Sequence, residues 1–269
     1  MSLLIAGHGY LGQALSAKAR ASDIPVTTLT RSGEDSDLAC DLTNPHAVKQ
    51  LSEQVEPTHI VACASSGRGD TEAYRRIFLG GTENLLSSFP KAHLTFISSS
   101  SVYRHLDGSV VTEESDTHGS TEKSKILLEA ERLTLAAGGT ALRLSGIYGP
   151  DRSVILKKFL SGEAILEETA EGIGVRILNQ IHVEDAANAI LHLISTDTNG
   201  LFNVSDNEPT TQLVTYQKLS AKFDLPLPPT ASPKQSKRGW TNKAVSNQKL
   251  LNTGWSPIFL NFIEAAKAL

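Results

Sequence analysis

The stretch Leu3-Leu4-Ile5-Ala6-Gly7-His8-Gly9-Tyr10-Leu11-Gly12 decides the fold. Four apolar residues in a row read as a short buried strand, and Gly7 to Gly12 as a tight turn. Leu11, Leu15 and Ala19 then recur at helical spacing. Working outward, residues 25–30 form a β-branched run that stops at Arg31-Ser32-Gly33, which completes a strand–helix–strand unit. Residues 59–62, 94–97 and 141–144 read as further buried strands. Helical stretches are expected after Thr43-Asn44-Pro45, over 71–88 and over 121–137. This alternation predicts the α/β class: a doubly wound, mainly parallel, Rossmann-type sheet with helices on both faces. Beyond Pro150 the pattern loosens into helices near 183–194 and 213–223, a strand near 201–204, a proline-rich stretch at 225–233 and a basic loop at 234–243. The expected organisation is a dinucleotide-binding core over 1–150. Residues 151–269 add elements to the core and form a smaller substrate lobe.

The turn has the pattern G-x-G-x-x-G between strand and helix, where its chemistry is needed. Gly7 permits the turn, Gly9 lets backbone approach a pyrophosphate, and Gly12 lets the helix pack close to the strand. The anion then rests on the free amides at the positive end of the helix, beside Tyr10 and Leu11. A binder of NAD places an acid on the ribose hydroxyls about 20 residues downstream; here Thr30-Arg31-Ser32 stands there instead. An acid would repel a 2′-phosphate, whereas Arg31 with Ser32 would bind it. A charge-assisted hydrogen bond contributes roughly 1.5–3 kcal/mol. NADP is therefore the expected cofactor, with NAD the alternative.

Composition narrows the partners. The 269 residues carry a formal net charge of −4, which attracts neither nucleic acid nor an anionic membrane. No run of about 18 apolar residues marks a membrane span, and no leader pattern is visible, so a cytoplasmic setting is expected. Cys40 and Cys63 are too few for a disulfide framework, and the eight histidines show no metal-ligand spacing, so no metal site is expected. The partner left is a small-molecule substrate.

With these residues in hand, the chain resembles the NAD(P)-dependent epimerase/dehydratase family, the extended and atypical short-chain dehydrogenase/reductases. The resemblance runs nearly the whole length. It is carried by the glycine motif, Cys40-Asp41-Leu42, Ala62-Cys63-Ala64, Gly81-Thr82-Glu83-Asn84-Leu85-Leu86 and Ser98-Ser99-Ser100-Ser101-Val102-Tyr103. The runs Leu142-Arg143-Leu144-Ser145-Gly146-Ile147-Tyr148-Gly149-Pro150 and Ile181-His182-Val183-Glu184-Asp185-Ala186 extend it. The resemblance implies that Asp41 with Leu42 meets the adenine, that Ala62, Cys63 and Ala64 lie along the cofactor, and that Ser99 is the catalytic serine. It also implies that Lys125 binds the cofactor ribose, and that a homodimer forms through the helices near 71–88 and 121–137.

One departure bears on activity. The family's proton passes through a tyrosine four residues before the lysine, and Thr121 occupies that position. A phenol with a pKa near 10 can be drawn toward ionisation by a neighbouring ammonium, but an alkyl hydroxyl is a far weaker acid. Tyr103 and His118 are the substitute acids within the expected loops, and Tyr148 reads as structural. Asn179, His182 and Arg152 are candidate contacts of the lobe. Two functions follow: an oxidoreductase or epimerase/dehydratase on a small hydroxylated or sugar-like metabolite, or a catalytically inactive NADP-binding sensor or interaction module.

Overall fold

Every side chain of β1 (Leu3–Ala6) is buried, as a strand covered on both faces requires. The computed structural model describes residues 1–65, 70–117, 121–233 and 240–266. After β1 come α1 (Tyr10–Ala21), β2 (Val26–Thr30), β3 (Leu38–Ala39), α2 (Pro45–Ser52) and β4 (His59–Ala62). These are followed by α3 (Thr71–Arg75), α4 (Gly81–Ser88), β5 (His93–Ser99) and α5 (Glu122–Ala136). The central sheet has seven strands in the order Gly200–Val204, Thr140–Leu144, β5, β4, β1, β2, β3. The pairings β1 with β2, β1 with β4, β4 with β5 and β2 with β3 are all parallel.

Alternation along β1 explains the two covered faces. Leu4 and Ala6 join Val48 and Leu51 of α2 and Leu85 of α4 in one apolar cluster. Ile5 faces the other way, toward α1, which buries Leu11, Leu15 and Ala19. Asn44 caps α2, accepting the amides of His46 and Ala47 at 3.0 and 3.3 Å, and Pro45 opens the helix where no amide is needed. The strand order reverses beside β1, with β2 on one side and β4 on the other. Folds of this kind leave a crevice for ligands at the carboxyl ends of the strands at such a point.

The single helix expected over 71–88 is divided by a π-helical segment, Arg76–Gly80. The Gly80-Gly81 pair weakens helical propensity there, and the Thr82 hydroxyl donates to the Phe78 carbonyl at 2.6 Å, taking up a helix acceptor.

The chain separates into two units. The first comprises Met1–Val102, Ser120–Arg143 and Ala186–Phe202, and the second Tyr103–Gly119, Leu144–Asp185 and Asn203–Leu269. The second has its own apolar cluster, which includes Tyr148, Leu156, Phe159, Tyr216, Leu219 and Phe262. Asp185, fully buried, accepts the amides of Ile258 and Phe259 at 2.7 and 3.0 Å and so pins the last segment of the chain. No helix among the described residues is long and apolar enough to cross a membrane.

Candidate functional site

The glycine loop has the geometry its sequence demands. Gly7 has φ +116°, a conformation that side-chain-bearing residues rarely adopt, and a Cβ there would lie 2.6 Å from Ala64 Cα. Its amide donates to Leu29 at 3.0 Å, and its carbonyl accepts the Cys63 thiol at 2.9 Å. Gly12 lies so close to the same carbonyl that a Cβ would overlap it. Gly9 differs from both, because a Cβ there would meet nothing within 4 Å. The space is open where a pyrophosphate would need it. Gly9 is also the N-cap of α1; no side chain caps this helix end and no acid stands in its first turn. The positive dipole end of the helix, with no side-chain cap and no acid in its first turn, therefore faces that space. The residues present fit a dinucleotide diphosphate.

Around this cradle, Leu11 is buried against the sheet and Tyr10 is half-buried. Burial pushes the Cys63 thiol up to about 12, so it stays protonated and serves as a donor. The His8 ring joins the Ser16 hydroxyl at 2.8 Å and the Asp35 carbonyl, tying the loop to the turn after β2. In that turn Ser32 Oγ accepts the Glu34 amide at 3.3 Å. Arg31 is exposed and makes no ion pair among the described residues. Asp37 holds the far side of the turn: it accepts the Thr28 amide and hydroxyl, both at 2.8 Å, and pairs with Arg20 at 3.1 Å. The Thr28 bonds and the nearby guanidinium keep its carboxyl below the usual range. Asp41 accepts the Thr43 amide and hydroxyl through Oδ1 at 2.9 and 2.8 Å, while the Leu42 side chain is in the core and its carbonyl accepts from Asn84.

At the end of β5, Ser99 Oγ accepts the Ser101 amide at 3.2 Å. The next carbonyl of interest, that of Ser101, accepts the buried Ser124 hydroxyl at 3.4 Å, which joins the start of α5 to the serine turn. Lys125 follows directly, exposed, with Nζ 2.6 Å from Glu122 Oε1. Such an exposed pair is screened by water and weak, so little opposes re-aiming the ammonium. Thr121 is the N-cap of α5, accepting the Ser124 amide at 3.2 Å. Tyr103 is fully buried in the second unit and donates to Asn203 Oδ1 at 2.8 Å, so its phenol is engaged in packing. His118 lies outside the described residues.

The remaining candidates belong to the second unit. Asn179 clamps backbone, donating to the Lys243 carbonyl at 2.9 Å and accepting the Val245 amide at 2.7 Å. His182 is buried between Tyr148 and Phe259, and burial lowers its pKa below the usual imidazole range. Tyr148 is buried, and burial together with Asp206 and Asp185 pushes its phenol well above the ordinary value. Arg152 is exposed and closes a turn by backbone bonds with Gly149 at 3.0 Å.

Sequence reasoning missed one network beneath the serine turn. Ser98 donates to Glu131 Oε1 at 2.5 Å, and Glu131 accepts Arg143 Nη2 at 2.7 Å, all three side chains buried. The signal was legible: Glu131 stands on the buried stripe of α5 with Ser124, Leu127 and Thr134, where an unpaired carboxylate would be prohibitive. Among the described residues no group of three metal-ligating side chains converges.

The model of the NAD dependent epimerase/dehydratase family matches residues 3–205. The chain belongs to that family. A Methylobacillus flagellatus protein named for the same family is 28% identical, with TM-score 0.77, over 100% of this chain and 97% of that one. The Thermus thermophilus UDP-glucose 4-epimerase in complex with NAD is 18% identical, with TM-score 0.80, covering 99% and 97%. A dTDP-4-dehydrorhamnose reductase from Clostridium acetobutylicum is also 18% identical, with TM-score 0.82, covering 100% and 98%. The last two share the fold. No curated protein matches the sequence.

Proposed function

We propose that the protein is an NADP-dependent oxidoreductase or epimerase/dehydratase acting on a small hydroxylated, sugar-like metabolite. The observation that carries this reading is the open cradle at Gly9, bounded by glycines that admit no side chain and facing an uncapped helix end. Gly7, Gly9, Tyr10, Leu11 and Gly12 hold the diphosphate, Asp41 and Leu42 the adenine end, and Ala62, Cys63 and Ala64 the inner edge. Arg31, exposed and in no ion pair among the described residues, favours the 2′-phosphate. When bound, the cofactor would supply or accept hydride. The chain's own part is to orient and to move protons: Ser99 holds a substrate carbonyl or hydroxyl, and Lys125 leaves Glu122 to bind the ribose. A cytoplasmic setting and a homodimer accompany this reading.

Thr121 favours a second reading, a binder of NADP that turns nothing over, because its hydroxyl serves the helix and the Tyr103 phenol is engaged by Asn203. Calorimetric titration with NADP and NAD, followed by a panel of keto and hydroxy sugars read both by NADPH absorbance and by product analysis, separates the two. Tight NADP binding with a net change in NADPH, or with an epimerised or dehydrated product and no net change, supports the enzyme. Binding with no turnover across the panel supports the sensor, and no binding of either cofactor defeats both.

A further inference from the structure

His59 opens β4 and His93 opens β5, and the parallel pairing of the two strands sets them side by side. Their ring centres are 5.7 Å apart, with the planes inclined at 50°. Far apart in the chain, they show no ligand spacing in the sequence; the sheet register alone makes them a pair. His59 also pairs with Leu3, the first residue of β1, so both rings stand at the amino edge of the sheet. The glycine loop follows Ala6 at the opposite edge.

Each ring is held by one nitrogen. His59 Nδ1 is 2.9 Å from the Thr58 hydroxyl, and that hydroxyl donates its own proton to the Ser2 carbonyl at 3.0 Å. Nδ1 of His59 therefore carries the ring proton and donates, which leaves a lone pair on Nε2. His93 Nε2 lies 3.1 Å from the hydroxyl of buried Thr140. With Nε2 donating there, the free lone pair falls on Nδ1. Neither His59 Nε2 nor His93 Nδ1 has a hydrogen-bond partner among the described residues, and both remain open to solvent. The Asp197 carboxylate, in the turn after Ser195, favours positive charge at both rings, and it acts on His59 more strongly than the Met1 ammonium does.

A metal-bound histidine commonly donates its other ring N–H to an oxygen, which fixes the ring and its tautomer. Two imidazoles on one tetrahedral zinc, bonded at about 2.0–2.1 Å, place their ring centres roughly 5–5.5 Å apart. A small turn of either ring reaches that spacing. We propose that His59 Nε2 and His93 Nδ1 bind a divalent transition-metal ion of the zinc class at the amino edge of the sheet. Imidazole nitrogen selects such an ion over magnesium or calcium, which take oxygen ligands. No third metal-ligating side chain among the described residues converges on the pair, so water completes the coordination while Asp197 offsets the charge from nearby. The ion ties the starts of β4 and β5 together, away from the glycine loop, and the site stands whether or not the protein binds NADP.

The test uses the full-length chain, stripped with a chelator and followed by thermal unfolding against Zn2+ and, separately, against Mg2+. A saturable rise in midpoint with Zn2+ is expected, by roughly 5–10 °C at a hundredfold excess over the dissociation constant, with none from Mg2+. His59→Gln and His93→Gln should each abolish it. Long-range proton–nitrogen spectra of the imidazoles, recorded on the unmodified chain, give a readout that needs no variant to fold: Zn2+ should shift His59 Nε2 and His93 Nδ1. The site is overturned if Zn2+ leaves the midpoint unchanged, if Mg2+ raises it equally, if the rise survives both substitutions, or if the nitrogens that shift belong to other histidines.

Discussion

The carbonyl of Thr121 accepts the amide of Lys125 at 2.9 Å, so Thr121 is the cap of the very helix that carries Lys125. Its side chain accepts the Ser124 amide as well. Removing this cap should cost about 1 kcal/mol, so Thr121→Ala should lower the thermal midpoint by about 2–4 °C while Thr121→Ser leaves it nearly unchanged. If Thr121 were instead a proton donor, Thr121→Ala would abolish turnover with no change in stability; denaturation and steady-state assays on the same samples decide.

The three glycines of the loop should respond differently. Gly9→Val places its side chain in open space, so the protein should fold normally and lose NADP binding. Gly12→Ala forces a methyl into the Gly7 carbonyl and should destabilise the fold itself. Circular dichroism melts paired with cofactor titration separate these outcomes, and undiminished NADP binding by Gly9→Val would remove the site assignment.

Arg31 should set cofactor choice. Losing a charge-assisted bond of roughly 1.5–3 kcal/mol predicts about a tenfold to hundredfold weaker NADP affinity in Arg31→Ala, with NAD affinity unchanged. Equal loss for both cofactors would show that Arg31 supports the turn and does not read the 2′-phosphate.

Asp206 should make stability depend on pH. Burial pushes its carboxyl from the ordinary 3.8 up to about 8, and one of its oxygens has no partner among the described residues. Between these values the folded chain holds a proton that the unfolded chain releases. The stabilisation is therefore full below about 4 and is lost as pH rises through about 8. Asp206→Asn should remove this dependence, so the midpoint of the parent relative to the variant should fall between pH 6 and pH 9. Parallel curves would refute the assignment.

The sequence by itself determined the sheet and the cradle. Leu3–Ala6 followed by Gly7, Gly9 and Gly12 is local information: a strand, a turn that tolerates no Cβ at two positions, and a helix whose apolar stripe returns every third or fourth residue. Cap chemistry at Asn44-Pro45 was legible for the same reason. Tertiary structure alone decided the fate of the charged and polar groups. That Glu131 meets Ser98 and Arg143, that the Tyr103 phenol is spent on Asn203, and that Lys243 is buried among cations all depend on segments far apart in the chain. A side chain's periodicity reports which face it occupies, but its solvation and its partners are set by whichever element packs against that face, and no local pattern encodes that neighbour.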